Sequence, residues 1–94
     1  MRIVWTGPAI RDLVSLRNYI AGDKAAAADS QVNRIITMVA GLASFPHSGR
    51  PGRRPETREL VVGKTPYLVA YRLKEETIEV LRVLHSRQRW PDRL

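Results

Sequence analysis

The sequence predicts an α+β fold in the order β-α-α-β-β-β. A short N-terminal strand leads into an antiparallel two-helix hairpin, which packs on a C-terminal antiparallel β-meander. Three observations carry this. Two segments of the first half repeat apolar residues at helical spacing. Three runs of the second half are rich in β-branched and aromatic residues, each separated from the next by four residues. A Pro/Gly/Arg-rich stretch divides the halves. Ninety-four residues leave room for one core, so a single domain over 1–94 is expected.

The elements follow in order. Ile3, Val4 and Trp5 form a β-prone run that "TGP" breaks. Thr6 suits a helix N-cap, and Pro8 is tolerated in the first turn. Ile10, Leu13, Val14, Arg17 and Ile20 recur at helical spacing and predict one buried stripe. "AGD" ends that helix, and Asp23 is the expected N-cap of the next. Four consecutive alanines favour the second helix, and Val32, Ile35, Ile36, Val39 and Leu42 supply its apolar face. Pro46 sets a boundary near Phe45. The connection between the helices is short, which makes them antiparallel neighbours.

Phe45 to Arg58 holds three prolines, two glycines and four arginines and reads as a loop without regular structure. Arg58–Val62, Tyr67–Leu73 and Ile78–His85 then read as the meander. Ile78–His85 is apolar on both faces and is expected at the centre of the sheet. As a strand, it points Leu81, Val83 and His85 one way, and Ile78, Val80, Arg82 and Leu84 the other. The helices should shield one sheet face and leave the other at least partly open.

Composition narrows the chemistry. The chain has no cysteine, which excludes disulfides and thiolate metal sites. Two histidines alone do not suggest a metal, and no cofactor motif is present. No apolar run approaches the roughly 20 residues of a membrane span, and no secretory leader is evident; a cytoplasmic location is the simplest expectation. The net charge is +7, from 16 basic and 9 acidic residues, and 13 of the basic residues are arginine. Residues 1–45 carry 5 basic and 3 acidic residues, residues 46–94 carry 11 and 6. The second half is therefore where a polyanion or an acidic protein should bind.

Two basic groups stand out: Arg50, Arg53, Arg54 and Arg58 in and after the loop, and Arg87 and Arg89 beside Trp90. Gathered on the uncovered sheet face, they would concentrate six guanidinium groups. Arg82 sits in an apolar set and needs a partner, with Glu59 or Glu79 as candidates, or else a groove. His85 ends a strand, where it can act as acid or base, or donate one structural hydrogen bond. Tyr67 and Tyr71 share a face with Val69 and read as packing. Trp90 suits either a cap on the core or a stacking platform.

The ordered set "P-x-x-G-R" (Pro46, Gly49, Arg50), "RELVVG", "YLVAYRL" and "LRVLHSRQRW" resembles the ParE/RelE superfamily of toxins from type II toxin–antitoxin (plasmid-stabilisation) modules. The resemblance covers nearly the whole chain. "RVLH-x-R" (Arg82 to Arg87) is closest to the ParE branch. It implies a toxin neutralised by a cognate antitoxin whose toxin-binding segment is acidic and folds on binding. For the ParE branch it implies inhibition of DNA gyrase by binding. Arg50, Arg53, Arg54, Arg58, Arg87, Arg89 and Trp90 would then meet target or antitoxin.

The alternative implied is a RelE-like ribosome-dependent endoribonuclease acting on messenger RNA. His85, Arg58, Arg82 and Arg87 would be its catalytic set. Ribonuclease members commonly carry a tyrosine after the last strand, but no tyrosine follows Tyr71 here. Their loop lysines are arginines here, which make poor bases. A further alternative is a non-toxic homologue acting only in an antitoxin complex.

Overall fold

A computed structural model describes all residues, 1–94. The elements are β1 (Arg2–Trp5), α1 (Gly7–Ala21), α2 (Ala25–Gly41), β2 (Arg50–Pro51), β3 (Arg58–Val61), β4 (Tyr67–Lys74) and β5 (Thr77–His85). They build the expected α+β architecture, with one five-stranded sheet ordered β1-β5-β4-β3-β2. The late runs pair antiparallel as a meander. β1 lies parallel to β5, with Arg2 opposite Thr77 and Trp5 opposite Val80.

Local chemistry explains most boundaries. Thr6 caps α1, its hydroxyl oxygen accepting from the Ala9 N–H at 3.3 Å. The same hydroxyl donates to the Val80 carbonyl at 2.9 Å, so one side chain starts the helix and ties it to β5. The cap of α2 is not Asp23 but Lys24, whose extended backbone starts the helix with no side-chain hydrogen bond. Asp23 is instead held in the turn by its N–H on the Ile20 carbonyl. The alanine run supplies the propensity that the missing cap does not.

Apolar residues of both helices and of one sheet face form the main core. Ala9 and Leu16 of α1, with Ile35 and Val39 of α2 and the following Leu42, meet Leu60, Tyr67, Val69, Tyr71, Ile78, Val80 and Val83. Tyr67, Val69 and Tyr71 pack there together, as their alternation predicts. The buried line of α1 is Ala9, Leu13, Leu16 and Ile20. It is rotated from the expected stripe, and Ile10 and Val14 are left 49% and 54% exposed. Small Ala9 lets the helix approach the sheet closely, which a larger neighbour could not do.

Three strand-level expectations need correction. The centre of the sheet is β4, whose first five residues are all buried; β5 is interior beside it because β1 covers its other edge. The loop contains β2, two residues paired with β3. Finally, the ladder between β4 and β5 shifts register between Ala70 and Tyr71, so that Arg82 faces Ala70 while Val80 faces Tyr71. Leu81 is the inserted residue of a β-bulge. The bulge reverses the parity of everything beyond it: Val83 joins Val80 on the helix side, and Arg82 and Leu84 go to the far side.

The far side has its own small core of Leu68, Ala70, Leu84 and Trp90, with Leu94 against it. The C-terminal tail thus lies across the face expected to be open.

Candidate functional site

The bulge and the early end of β1 create the molecule's main polar contact. Beyond Val80 the outer edge of β5 has no neighbouring strand. Asp12 of α1 fills that position. Its carboxylate accepts from the Val83 backbone N–H at 2.9 Å and from the Arg82 guanidinium at 2.6 and 2.9 Å. Arg82 is therefore paired, as its apolar setting demands, but with neither Glu59 nor Glu79. Those acids bind Arg50 and Arg72 respectively. The hydrogen bond to Asp12 raises the Arg82 pKa above the ordinary arginine value, with burial acting in the opposite sense. Asp12 is the only acid of α1, but it follows Arg11 and no local signal ties it to a residue 70 positions later.

The other arginines are placed as follows. Arg58 leads β3 and turns to the loop, donating to the Gly49 carbonyl at 2.6 and 3.0 Å and to the His47 carbonyl at 3.0 Å. Arg54 grips the tail, donating to the Pro91 carbonyl at 2.9 and 3.0 Å and the Trp90 carbonyl at 3.2 Å. It also lies 3.5 Å from Asp92. The Arg53 guanidinium stands 6.0 Å from the Trp90 ring centre, at the outer limit of a cation–π contact. Arg50 shares the far face with buried Glu59. Arg87 and Arg89 are exposed and join no ion pair.

Arg50, Arg53 and Arg54 thus gather around the far face, whereas Arg58 turns to the loop and the Arg82 guanidinium is taken by Asp12 at the β5 edge. Of the six arginines expected to gather on the uncovered face, those three lie there, and Arg58 is turned to the loop. Trp90 is 3% exposed, which resolves its two readings in favour of packing: an indole buried to that extent cannot stack on a partner.

The tail is fixed by Arg54. Replacing Arg54 by alanine removes charge-assisted hydrogen bonds of about 1.5–3 kcal/mol. Trp90 emission should shift to the red and acrylamide quenching should rise, measured in a Trp5→Phe background to silence the other tryptophan. Unchanged quenching would show that apolar packing alone holds the tail.

His85 lies opposite Tyr67, and their rings meet edge-to-face at 5.7 Å. His85 Nδ1 accepts the Arg87 backbone N–H at 3.1 Å. In the neutral ring this bond places the proton on Nε2, so that nitrogen can donate but has no lone pair with which to take a proton. No group of three or more His, Asp or Glu side chains is disposed to hold a metal ion.

Asp12, Tyr67 and His85 also line a cleft of about 600 Å³ between the helices and the His85 end of β5. Leu16, Ile20 and Val83 form its apolar part, and Ser15, Tyr19, Gln31 and Gln88 its polar part. Burial, and secondarily the Tyr19 hydroxyl, raises the Tyr67 pKa above the usual phenol value. Tyr67 is therefore a proton donor at neutral pH.

Comparison with known proteins places this architecture. Residues 3–90 match the family model "ParE toxin of type II toxin-antitoxin system, parDE". "Putative toxin Y4kP" of Sinorhizobium fredii is 47% identical over 90 residues, covering 96% of this chain and 93% of that protein. "Toxin RelE2" of Caulobacter vibrioides is 33% identical over 85 residues, covering 90% and 94%. A solved structure titled "Chromosomal ParDE TA system from P. aeruginosa" superposes with a TM-score of 0.81 at 27% identity, covering 90% of this chain and 95% of its counterpart.

Proposed function

The chain belongs to the ParE toxin family of type II toxin–antitoxin systems, and from that premise we propose that it is held silent by an antitoxin and, once free, binds DNA gyrase rather than cutting RNA. The observation that carries the non-catalytic reading is the Asp12–Arg82 pair. Cleavage by 2′-hydroxyl attack needs a base, a proton donor and free cations on the scissile phosphate. Here Arg82 is neutralised by a carboxylate. Two of the three Arg58 nitrogens are spent on backbone carbonyls. His85 Nε2 carries the proton that a base would have to accept. Of the four candidate catalytic residues, only Arg87 has a guanidinium with no partner within the chain.

The antitoxin reading is supported by the solved ParDE system that the fold matches and by charge. A +7 chain attracts an acidic segment, and ordering such a segment on a preformed surface fits folding on binding. No helix is long and apolar enough to cross a membrane; action in the cytoplasm belongs to this proposal.

Purified protein is expected to inhibit gyrase supercoiling. The double change Arg87→Ala, Arg89→Ala should weaken that inhibition at least about tenfold without lowering the melting temperature, since both side chains are exposed and steer association. Normal supercoiling, together with new codon-phased messenger RNA ends in cells expressing the chain, would establish the endoribonuclease reading instead. That reading has one support, the kinship with the protein named RelE2. Unimpaired growth on expression without any antitoxin would favour the non-toxic homologue.

A further inference from the structure

The cleft between the helices and the end of β5 contains polar groups that the fold itself does not use. Tyr67 is only 9% exposed, yet its hydroxyl makes no hydrogen bond within the chain. The Gln31 side-chain oxygen is fully buried and has no partner. An unpartnered buried polar atom costs about 1–3 kcal/mol, so the Gln31 oxygen at this cavity marks a place that something else completes, and the Tyr67 hydroxyl beside it is open to solvent and free to donate. Gln88 spends its side-chain oxygen on the His85 backbone N–H and keeps its NH2 free. Tyr19, 82% exposed, stands at the mouth.

The available groups define the ligand. Tyr67 donates and Gln31 accepts, so the ligand must present an acceptor and a donor together. The backbone C=O and N–H of one extended residue do this, because both point to the same side. The neighbouring apolar surface of Leu16, Ile20 and Val83 fits an aliphatic side chain. A nucleobase edge also offers a donor and an acceptor, but a nucleotide brings a phosphate, and none of the eleven lining residues is arginine or lysine. The Asp12 charge is already offset by Arg82. Exposed Arg87 and Arg89 flank the lining residue Gln88 in sequence and join no ion pair.

We propose that this cleft receives one extended residue with an aliphatic side chain from an acidic segment of a protein partner. Its carbonyl accepts from Tyr67, its N–H donates to the Gln31 side-chain oxygen, and flanking carboxylates reach Arg87 and Arg89. The identity of that partner rests on the antitoxin reading; the recognition chemistry does not.

The test uses the intact chain, isotope-labelled and followed by NMR, with N-acetyl-leucine N-methylamide as the probe. Saturable shifts of the Gln31 side-chain amide and the Tyr67 ring are expected. Tyr67→Phe should weaken binding about two- to tenfold, the worth of one hydrogen bond, while leaving the melting temperature unchanged or higher, because the lost hydroxyl has no partner in the fold. Tyr19→Ala, at an exposed position, should weaken it without touching the core. Acetyl-Glu-Leu-Glu-amide should bind more tightly than acetyl-Lys-Leu-Lys-amide. Absence of saturable shifts, or equal binding of the two tripeptides, would overturn the proposal. Adenosine monophosphate displacing the leucine probe at lower concentration would assign the cleft to nucleic acid. None of these arms uses an antitoxin, so a failure here is separate from failure of the toxin reading, which the growth assay decides.

Discussion

Replacing Asp12 by alanine is expected to lower the thermal unfolding midpoint by about 12–24 °C. The carboxylate has two tasks. It satisfies the Val83 N–H at an edge that β1 no longer covers, and it neutralises Arg82. Orphaning the N–H costs about 1–3 kcal/mol. Breaking a fully buried ion pair from one side costs about 3–5 kcal/mol. Both side chains here retain about a fifth of their exposure, so water recovers much of the second cost. A total of about 3 kcal/mol is reasonable, and for a domain of this size each kcal/mol moves the midpoint by about 4–8 °C. Asp12→Asn should fall between, since its amide oxygen still accepts from Val83 while its NH2 opposes the guanidinium. Calorimetry of the two variants checks both parts. A loss below about 1 kcal/mol for the alanine change would mean that Arg82 finds water instead.

Gly49→Ala should be comparably damaging, by about 3 kcal/mol. A Cβ at this position would lie 2.6 Å from the Tyr71 hydroxyl oxygen, 2.7 Å from its ring and 2.9 Å from the Glu59 carbonyl. None of these can yield cheaply. Tyr71 is fully buried, and its hydroxyl accepts from the Gly49 N–H at 2.9 Å while donating to the Pro46 carbonyl at 2.8 Å. Overpacking of this kind typically costs about 1–3 kcal/mol, and displacement of the phenol strains two hydrogen bonds as well. Chemical denaturation measures the loss. Gly41→Ala is the control: nothing lies within 4 Å of its would-be Cβ, and replacing a helical glycine should stabilise by about 0.4–1 kcal/mol.

These two sites also show how far the sequence could be read. The helices, four of the five strands and Thr6 as a cap were legible because each rests on a local signal. Gly49 was legible only as part of a motif; the need for it comes from a tyrosine 22 residues away. Arg82 was legible as a residue requiring a partner, but the partner lies 70 residues earlier, and no local pattern ranks Asp12 above Glu59 or Glu79. The bulge at Leu81 defeated the reading of side-chain direction, since alternation carries no mark of an extra residue between apolar neighbours. The tail defeated the reading of the open face. Trp90 among arginines looks like a surface cluster until Leu68, Ala70 and Leu84 are seen to offer it a floor. The cleft was invisible for a related reason: Tyr67 was correctly assigned to packing, but sequence does not say that its hydroxyl goes unanswered.

The pairing of β1 with β5 has a consequence for biosynthesis. The first strand translated waits for the last, because its only neighbour in the sheet is the final one to be made. At about 5–20 residues per second, the N-terminal segment exists for several seconds before that neighbour leaves the ribosome. Until β5 and Gln88 have emerged, the nascent chain has neither its Asp12 latch nor its completed cleft, so a partner that recognises the finished surface has nothing to hold before then.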